Sequence, residues 1–295
     1  MSVLVNPGTR VMVQGITGEA ARHHTEAMMT YGTDIVAGVR PGAGGTEVHG
    51  VPVFDTAAEA AAAKKPDASI LFVPAKAMKQ AAFEALDAKI GLVVMVSEHV
   101  PLHDTMEIIA KAEESGANVV GPNTPGLIAP SLRCKIGFVP AHYYMPGPVG
   151  VASRSGTLTY EIVSRLTSAG IGQTTCVGVG GDPVVGSTFS KMARLFEADP
   201  ETKAILLIGE VGGSMEEEAA ELVQKGEITK PVIAYIAGRT APKGKRMGHA
   251  GAIVAAGRGS IESKLQAFDA ANIPVAAVPD EVAQWVRKAL DSLKK

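Results

Sequence analysis

Residues 10–31 read RVMVQGITGEAARHHTEAMMTY, and this stretch decides the fold. A β-branched run at 11–14 meets Gly15-Ile16-Thr17-Gly18, and an Ala-rich pattern with helical spacing runs from about Ala20 to Tyr31. Strand, glycine turn and helix in that order open a βαβ unit. The glycines allow a tight turn, and the unpaired N–H groups of a helix N-terminus attract phosphate. The same turn serves equally well to pack a helix on a sheet with no ligand. The dinucleotide spacing G-x-G-x-x-G is not met, so a nicotinamide cofactor is not indicated.

Working outward, strands are predicted at 35–39, 69–73, 92–96 and 118–120, with helices over 57–64, 75–88 and 104–115. Short strands separated by helices argue for a parallel sheet. Residues 128–148 are rich in Pro, Gly, His and Tyr and read as a linker or ordered loop. A second series follows, with strands at 149–152, 175–179, 204–208 and 232–236. Its helices start near Thr157, Thr188, Glu216 and Ser260, and a last one covers 281–293. The expected fold is α/β, two tandem doubly wound domains: 1–128, a linker at 129–145, and 146–295.

The chain has 295 residues, enough for about two domains. Apolar residues make up 46% and aromatics only 4%, a mix that lets helices lie close on a sheet. A formal net charge of −2 supplies no field for nucleic acid or an anionic membrane. No apolar run approaches the roughly 20 residues of a membrane span, and the amino terminus has no long apolar leader core. Cys134 and Cys176 lack metal-ligand spacing and read as two reduced thiols. A cytoplasmic, bacterial location is expected, with a mitochondrial matrix not separable from it.

Glycine turns recur at 41–45, 121–126, 153–157, 178–183 and 209–213, each after a strand. Ligands of open α/β sheets bind outside the carboxyl ends of strands, so the repetition points to at least two ligand positions. In Ser153-Arg154-Ser155-Gly156-Thr157 the hydroxyls either cap a helix starting at Thr157 or hold a phosphoryl group there. His249 is the one histidine of the second half, in a glycine-rich basic stretch with Lys243, Lys245 and Arg246. Imidazole acts as a covalent nucleophile when a neighbour fixes its tautomer, although a lone loop histidine is often merely structural. Glu210, after an apolar strand and before Gly212-Gly213, is placed either to accept Nδ1–H of His249 or to cap the helix that follows. Glu216, Glu217 and Glu218 read as a solvated helix start favoured by the helix dipole. His23 and His24 are adjacent on a helix and point apart, so no shared metal is expected.

The stretches VQGITG (13–18), GPNTPG (121–126), SRSGTLTY (153–160), GVGGDP (178–183), GEVGG (209–213) and AGRTAPKGKRMGHAGA (237–252) together resemble the α subunit of succinyl-CoA synthetase, nearly end to end. The resemblance implies a Rossmann-like CoA-binding domain, then a flavodoxin-like ligase domain. It implies a hetero-oligomer, αβ or (αβ)2, whose β subunit carries an ATP-grasp site for ATP or GTP with Mg2+. The implied reaction joins succinate and CoA at the expense of a nucleoside triphosphate. A malate–CoA or citrate–CoA ligase small subunit is the neighbouring reading, and a CoA-binding module without catalysis the one from another class.

By the same resemblance His249 carries the phosphoryl group and Glu210 is its Nδ1 partner. Ser155, Gly156 and Thr157 hold phosphate. Thr17, Gly18, Glu19 and Ala20, with Val96, Ser97 and Glu98, contact CoA. Tyr160 and Asn123 face the acid, and no metal is bound by this chain. Gly244, Gly248 and Gly251 suit a moving loop. Three departures stand out: Glu19-Ala20-Ala21-Arg22 for a more glycine-rich run, Ala43 for a CoA-contacting lysine, and Thr124 for a cysteine. Arg40 or Arg22 is expected to replace the missing lysine charge.

Overall fold

The structure, a computed structural model, describes residues 2–238, 249, 252, 254 and 258–294. Its first unit runs β1 (Arg10–Gln14), α1 (Glu19–Tyr31), β2 (Asp34–Val39), β3 (Glu47–Val48), β4 (Val51–Phe54), α2 (Ala57–Lys64) and β5 (Ala68–Leu71). It continues with α3 (Met78–Asp87), β6 (Leu92–Met95), α4 (Leu102–Ser115) and β7 (Asn118–Val120). The sheet order is β3-β4-β2-β1-β5-β6-β7. Every pairing is parallel except β3 with β4. Leaving out the edge strand β3, the order is the doubly wound 3-2-1-4-5-6, whose switch point lies between β1 and β5.

The second unit begins with β8 (Gly126–Ala129), β9 (Cys134–Gly137), β10 (Pro146–Ser153), α5 (Gly156–Ser168), β11 (Gln173–Gly178) and α6 (Phe189–Ala198). It ends with β12 (Ala204–Glu210), α7 (Met215–Gln224), β13 (Val232–Ala237), α8 (Ile261–Ala270), β14 (Val275–Ala276) and α9 (Pro279–Ser292). Its order is β14-β13-β12-β10-β11-β8-β9. The parallel part is the flavodoxin order 2-1-3-4-5, with the switch point between β10 and β12.

One expectation changes here. The stretch 129–145 is not a passive linker: β8 pairs antiparallel with β11 and β9 with β8, closing the edge of the second sheet. Leu127, Ile128 and Ile136 are fully buried by that hairpin, which explains why so short and glycine-flanked a run folds.

The central strands are apolar on both faces, as sheets covered by helices on each side require. Val11, Met12 and Val13 of β1, and all seven residues of β12, are buried. Gly150 of β10 shows how tightly a helix lies on its sheet, since a Cβ there would stand 2.5 Å from the Phe196 ring of α6. Removing that ring leaves a cavity and costs about 3–5 kcal/mol.

One continuous core joins the units, with Val11 and Val13 in the same buried cluster as Val177, Phe189 and Phe196. Polar contacts reinforce the seam. Thr33 Oγ1 donates to Lys135 O at 2.8 Å and accepts from Lys135 N–H at 2.9 Å, and Val3 N–H donates to Thr175 Oγ1 at 3.2 Å. No helix among the described residues is long and apolar enough to cross a membrane.

Candidate active site

The second switch point gathers the residues singled out at 153–157, Glu210 and His249. β10 ends on Ser153 and β12 two residues beyond its partner Ile208, on Glu210, so both chains leave the sheet side by side. Ser155 caps α5, its Oγ accepting Leu158 N–H at 3.4 Å. The helix begins at Gly156, one residue before the expected Thr157, because Ser155 already occupies the cap. Gly156 and Thr157 therefore present first-turn N–H groups, which have no acceptor inside a helix. Such an end attracts an anion.

His249 meets Glu210 here. Its Nδ1 lies 2.9 Å from Glu210 Oε2, the carboxylate buried and the imidazole about a third exposed. An ionised carboxylate only accepts, so Nδ1 carries the proton and Nε2 keeps its lone pair. The hydrogen bond to Glu210 raises the imidazole above its ordinary 6.5, while burial and the Arg154 charge pull the other way and Asp182 adds to the rise. The ring lies on bare backbone, since a Cβ at Gly181 would come within 2.5 Å of His249 Cγ. Val211 N–H donates to Ala237 O at 3.2 Å and Gly212 N–H to Gly259 O at 2.7 Å. Both ends of the segment carrying His249 thus return to one turn. The expected cations Lys243, Lys245 and Arg246, and Gly244, Gly248 and Gly251, lie outside the described residues.

Behind this pair lies a group of charges that the sequence reading missed. Arg154 Nη2 lies 3.2 Å from Glu210 Oε1, and its Nη1 donates to Gly212 O at 2.6 Å and Glu216 Oε1 at 3.3 Å. Lys264 Nζ reaches Glu216 Oε2 at 2.5 Å and Glu217 Oε2 at 2.9 Å. The expectation of a solvated Glu216–Glu218 start is therefore corrected. Glu216 is 1% and Glu217 5% exposed, because partners arriving from β10 and α8 offset their desolvation. Burial pushes the Glu217 carboxyl up, but Lys264 and the Gly259 N–H outweigh it and hold the group below its usual range.

Asn123 and Tyr160 come to the same edge. Asn123 takes a left-handed backbone, φ 57°, and donates from Nδ2 to Asp182 Oδ1 at 3.0 Å. Its N–H donates to Ser97 O at 2.9 Å, which ties the two units together. The Tyr160 hydroxyl is buried, has no hydrogen-bond partner among the described residues, and sits 3.7 Å from where a Cβ on Gly156 would stand. Thr124 Oγ1 donates to Gly178 O at 2.5 Å and accepts Gly126 N–H at 2.9 Å, a buried structural role. Cys134 and Cys176 are free and buried, burial pushing their thiols to about 11 and about 12, so neither offers a thiolate near neutral pH. No cluster of metal-ligating side chains occurs among the described residues.

At the first switch point a cavity of about 280 Å³ opens between the ends of β1, β2 and β5, lined by Gly15, Arg40, Pro41, Val73, Pro74 and Gln80 among others. Gly15 needs its positive φ of 78°, and a Cβ there would strike Phe72 O at 2.3 Å. Thr17, Gly18, Glu19 and Ala20 form the adjoining turn and start of α1, largely exposed. Val96, Ser97 and Glu98 follow β6 on the same edge, and Ser97 Oγ donates to Val73 O at 2.6 Å. Of the two candidate arginines, Arg40 lines the cavity, while Arg22 Nε turns back to Thr17 O at 3.1 Å.

Comparison with known proteins finds two family models in the chain. A CoA binding domain model matches residues 6–99, and a CoA-ligase model matches residues 152–273. The chain is 50% identical over 290 residues to succinate–CoA ligase [ADP-forming] subunit alpha 2 of Archaeoglobus fulgidus, covering 98% of this chain and 100% of the relative. It is 48% identical over 289 residues to the corresponding α subunit of Staphylococcus aureus, covering 98% and 95%. Among solved structures it is similar to ATP citrate lyase of Methanosaeta concilii, bound to (3S)-citryl-CoA, with a TM-score of 0.89 and 26% identity. That match covers 99% of this chain but only 51% of the lyase, so the chain spans about half of that protein. The dinucleotide-forming acetyl-coenzyme A synthetase 1 of Ca. Korarchaeum cryptofilum shares the fold, with a TM-score of 0.76 at 20% identity over 95% of this chain and 60% of that one.

A CoA-binding unit joined to a ligase unit defines an acid–thiol ligase of the nucleoside-diphosphate-forming class. Within that class the chain belongs to the α-subunit family of succinate–CoA ligase.

Proposed function

We propose that the chain binds CoA at its first switch point and carries a phosphoryl group on His249 at its second, working with a β subunit that supplies an ATP-grasp nucleotide site. The observation that carries this reading is the 2.9 Å contact between His249 Nδ1 and Glu210 Oε2. With the proton held on Nδ1, Nε2 attacks the terminal phosphorus of the nucleotide, and the bond to the departing nucleoside diphosphate breaks. The ring gains positive charge, which Glu210 offsets. A carboxylate oxygen of the acid then takes the phosphoryl group, Nε2 regains its electron pair, and an acyl phosphate forms. The sulfur of CoA attacks the acyl carbon and phosphate leaves, with the thiol proton passing to solvent or phosphate. Two easier transfers replace one difficult condensation. The α5 N-terminus supplies the N–H groups of Gly156 and Thr157 for the phosphoryl oxygens, with the Ser155 hydroxyl beside them, its own N–H being engaged by Ser153 Oγ at 3.2 Å.

Succinate is the acid this reading favours, because the succinate–CoA ligase relatives align end to end. A citrate reading has one observation behind it, the structural match to ATP citrate lyase. Asn123, partly exposed, and the buried, unpaired Tyr160 hydroxyl are the polar groups this chain brings to that edge for either acid. We place ATP or GTP and its Mg2+ on the partner.

The test is co-expression with the β partner, followed by incubation with γ-labelled nucleotide. An acid-labile, base-stable phosphoprotein is expected in the wild type and not in His249→Asn. No label in the wild type, or label that persists in the variant, overturns the reading. A panel of succinate, malate, citrate and itaconate with CoA then names the acid.

A further inference from the structure

Glu210 has two carboxylate oxygens with different neighbours, Oε2 on His249 at 2.9 Å and Oε1 on Arg154 at 3.2 Å. A carboxylate divided in this way cannot rotate about its last bond without losing one partner, so what holds Arg154 also aims Glu210. Glu216 does this twice. Its Oε1 accepts the main-chain N–H of Glu210 at 3.0 Å and faces Arg154 Nη1 at 3.3 Å, while Oε2 rests on Lys264 Nζ. Its carboxylate reaches that position only because residue 209 is glycine. A Cβ on Gly209 would lie 2.4 Å from Glu216 Oε1.

The side chains of Arg154, Glu216 and Lys264 are at most 1% exposed. Burying charges is unfavourable, and packing alone is served as well by apolar residues of similar volume. Signs alternate along the series Glu210, Arg154, Glu216, Lys264, Glu217, and its Glu210 end meets the imidazole of His249. Lys264 also donates to Gly213 O at 2.8 Å, and Glu217 Oε1 accepts Gly259 N–H at 2.9 Å. The same charges therefore grip the turn after β12 and the far end of the segment bearing His249.

We propose that Glu216, backed by Lys264, is a positioning residue for the phosphoryl-transfer pair: it holds Arg154 and the Glu210 main chain so that Glu210 faces Nδ1 and Nε2 stays free. This rests on the phosphohistidine reading above. In Glu216→Gln the new amide either turns a donor toward the ammonium of Lys264 or turns one toward Arg154 and the Glu210 N–H. Either way the hold on Glu210 loosens.

The experiment measures the rate of His249 labelling by γ-labelled nucleotide in the αβ complex, per mole of complex competent to bind CoA. It compares wild type, Glu216→Gln, Gly209→Ala and Glu216→Asp. Glu216→Gln and Gly209→Ala are expected to label about tenfold or more slowly, with the KM for CoA within about twofold of wild type, as loss of an orienting partner typically does. Glu216→Asp, which keeps the charge, is expected to recover part of the rate. Spectra of ¹⁵N-histidine-labelled complex are expected to show Nδ1-protonated His249 in the wild type and a tautomer mixture in Glu216→Gln. Wild-type labelling rates in Glu216→Gln and Gly209→Ala, with an unchanged tautomer, overturn the proposal even if both variants melt earlier. Absence of label in the wild type itself defeats the phosphohistidine reading, a separate outcome.

Discussion

The two switch points of this molecule share a geometry and differ in chemistry. At the first, between β1 and β5, glycine, proline and aliphatic residues line a cavity with Gln14, Gln80 and only two charged residues, Arg40 and Glu84. At the second, between β10 and β12, Arg154, Glu210, Glu216, Glu217 and Lys264 are almost completely withdrawn from water. A large substrate that comes and goes needs shape and accessible N–H groups, which turns supply. A covalent nucleophile needs one nitrogen held in one orientation through many turnovers, and buried paired charges supply that rigidity.

The comparison breaks first at Glu210. Glu210→Gln is expected to slow phosphohistidine formation by about 10²–10³-fold, the scale for losing one preorganised electrostatic partner. The rate should rise with pH as the imidazole loses its second proton, with a midpoint above 6.5 in the wild type. Glu210 is the chief cause of that rise, so the midpoint in Glu210→Gln moves down, and rate–pH profiles of both proteins check the sign. Gly181→Ala comes next. Its methyl would intrude on the imidazole, and a displacement near 1 Å is worth about 10²-fold. Labelling should fall while CoA affinity holds, and a wild-type rate would show that the ring does not rest on Gly181 during transfer.

The first switch point is probed by Arg40→Ala. CoA affinity measured by calorimetry is expected to weaken about tenfold, the loss of one charged hydrogen bond, with phosphorylation untouched. Arg22→Ala should change it less, because that side chain is engaged with its own turn. Unchanged affinity in both ends the idea that an arginine replaces the lysine lost at Ala43. Smallest in function is Thr124→Val, which orphans Gly126 N–H and Gly178 O. It should cost about 1–3 kcal/mol in denaturant unfolding and leave both switch points working.

What could be read from the sequence followed the range of the interactions. The central strands and their helices were legible because each is a local apolar period, whereas the pairing of Glu210 with His249 came from the family resemblance, the residues alone leaving a helix-capping glutamate and a structural histidine as open readings. β3 and β4 were hidden by their brevity and by Pro52, and the β8–β9 hairpin because four-residue edge strands carry little periodicity. The buried charges were the real omission. Arg154 meets Glu216 across 62 residues and Lys264 meets it across 48. A run of three glutamates at a helix start looks the same whether water or a lysine waits above it. The one local hint was an arginine inside a cap where small hydroxyls suffice.

The turn after β12 has a further consequence. Residues 211 and 212 hold Ala237 and Gly259, so one turn fixes both ends of the stretch that contains His249. The closure entropy of a loop grows only slowly with its length. The melting temperature should therefore depend on these two ties far more than on the number of residues between them.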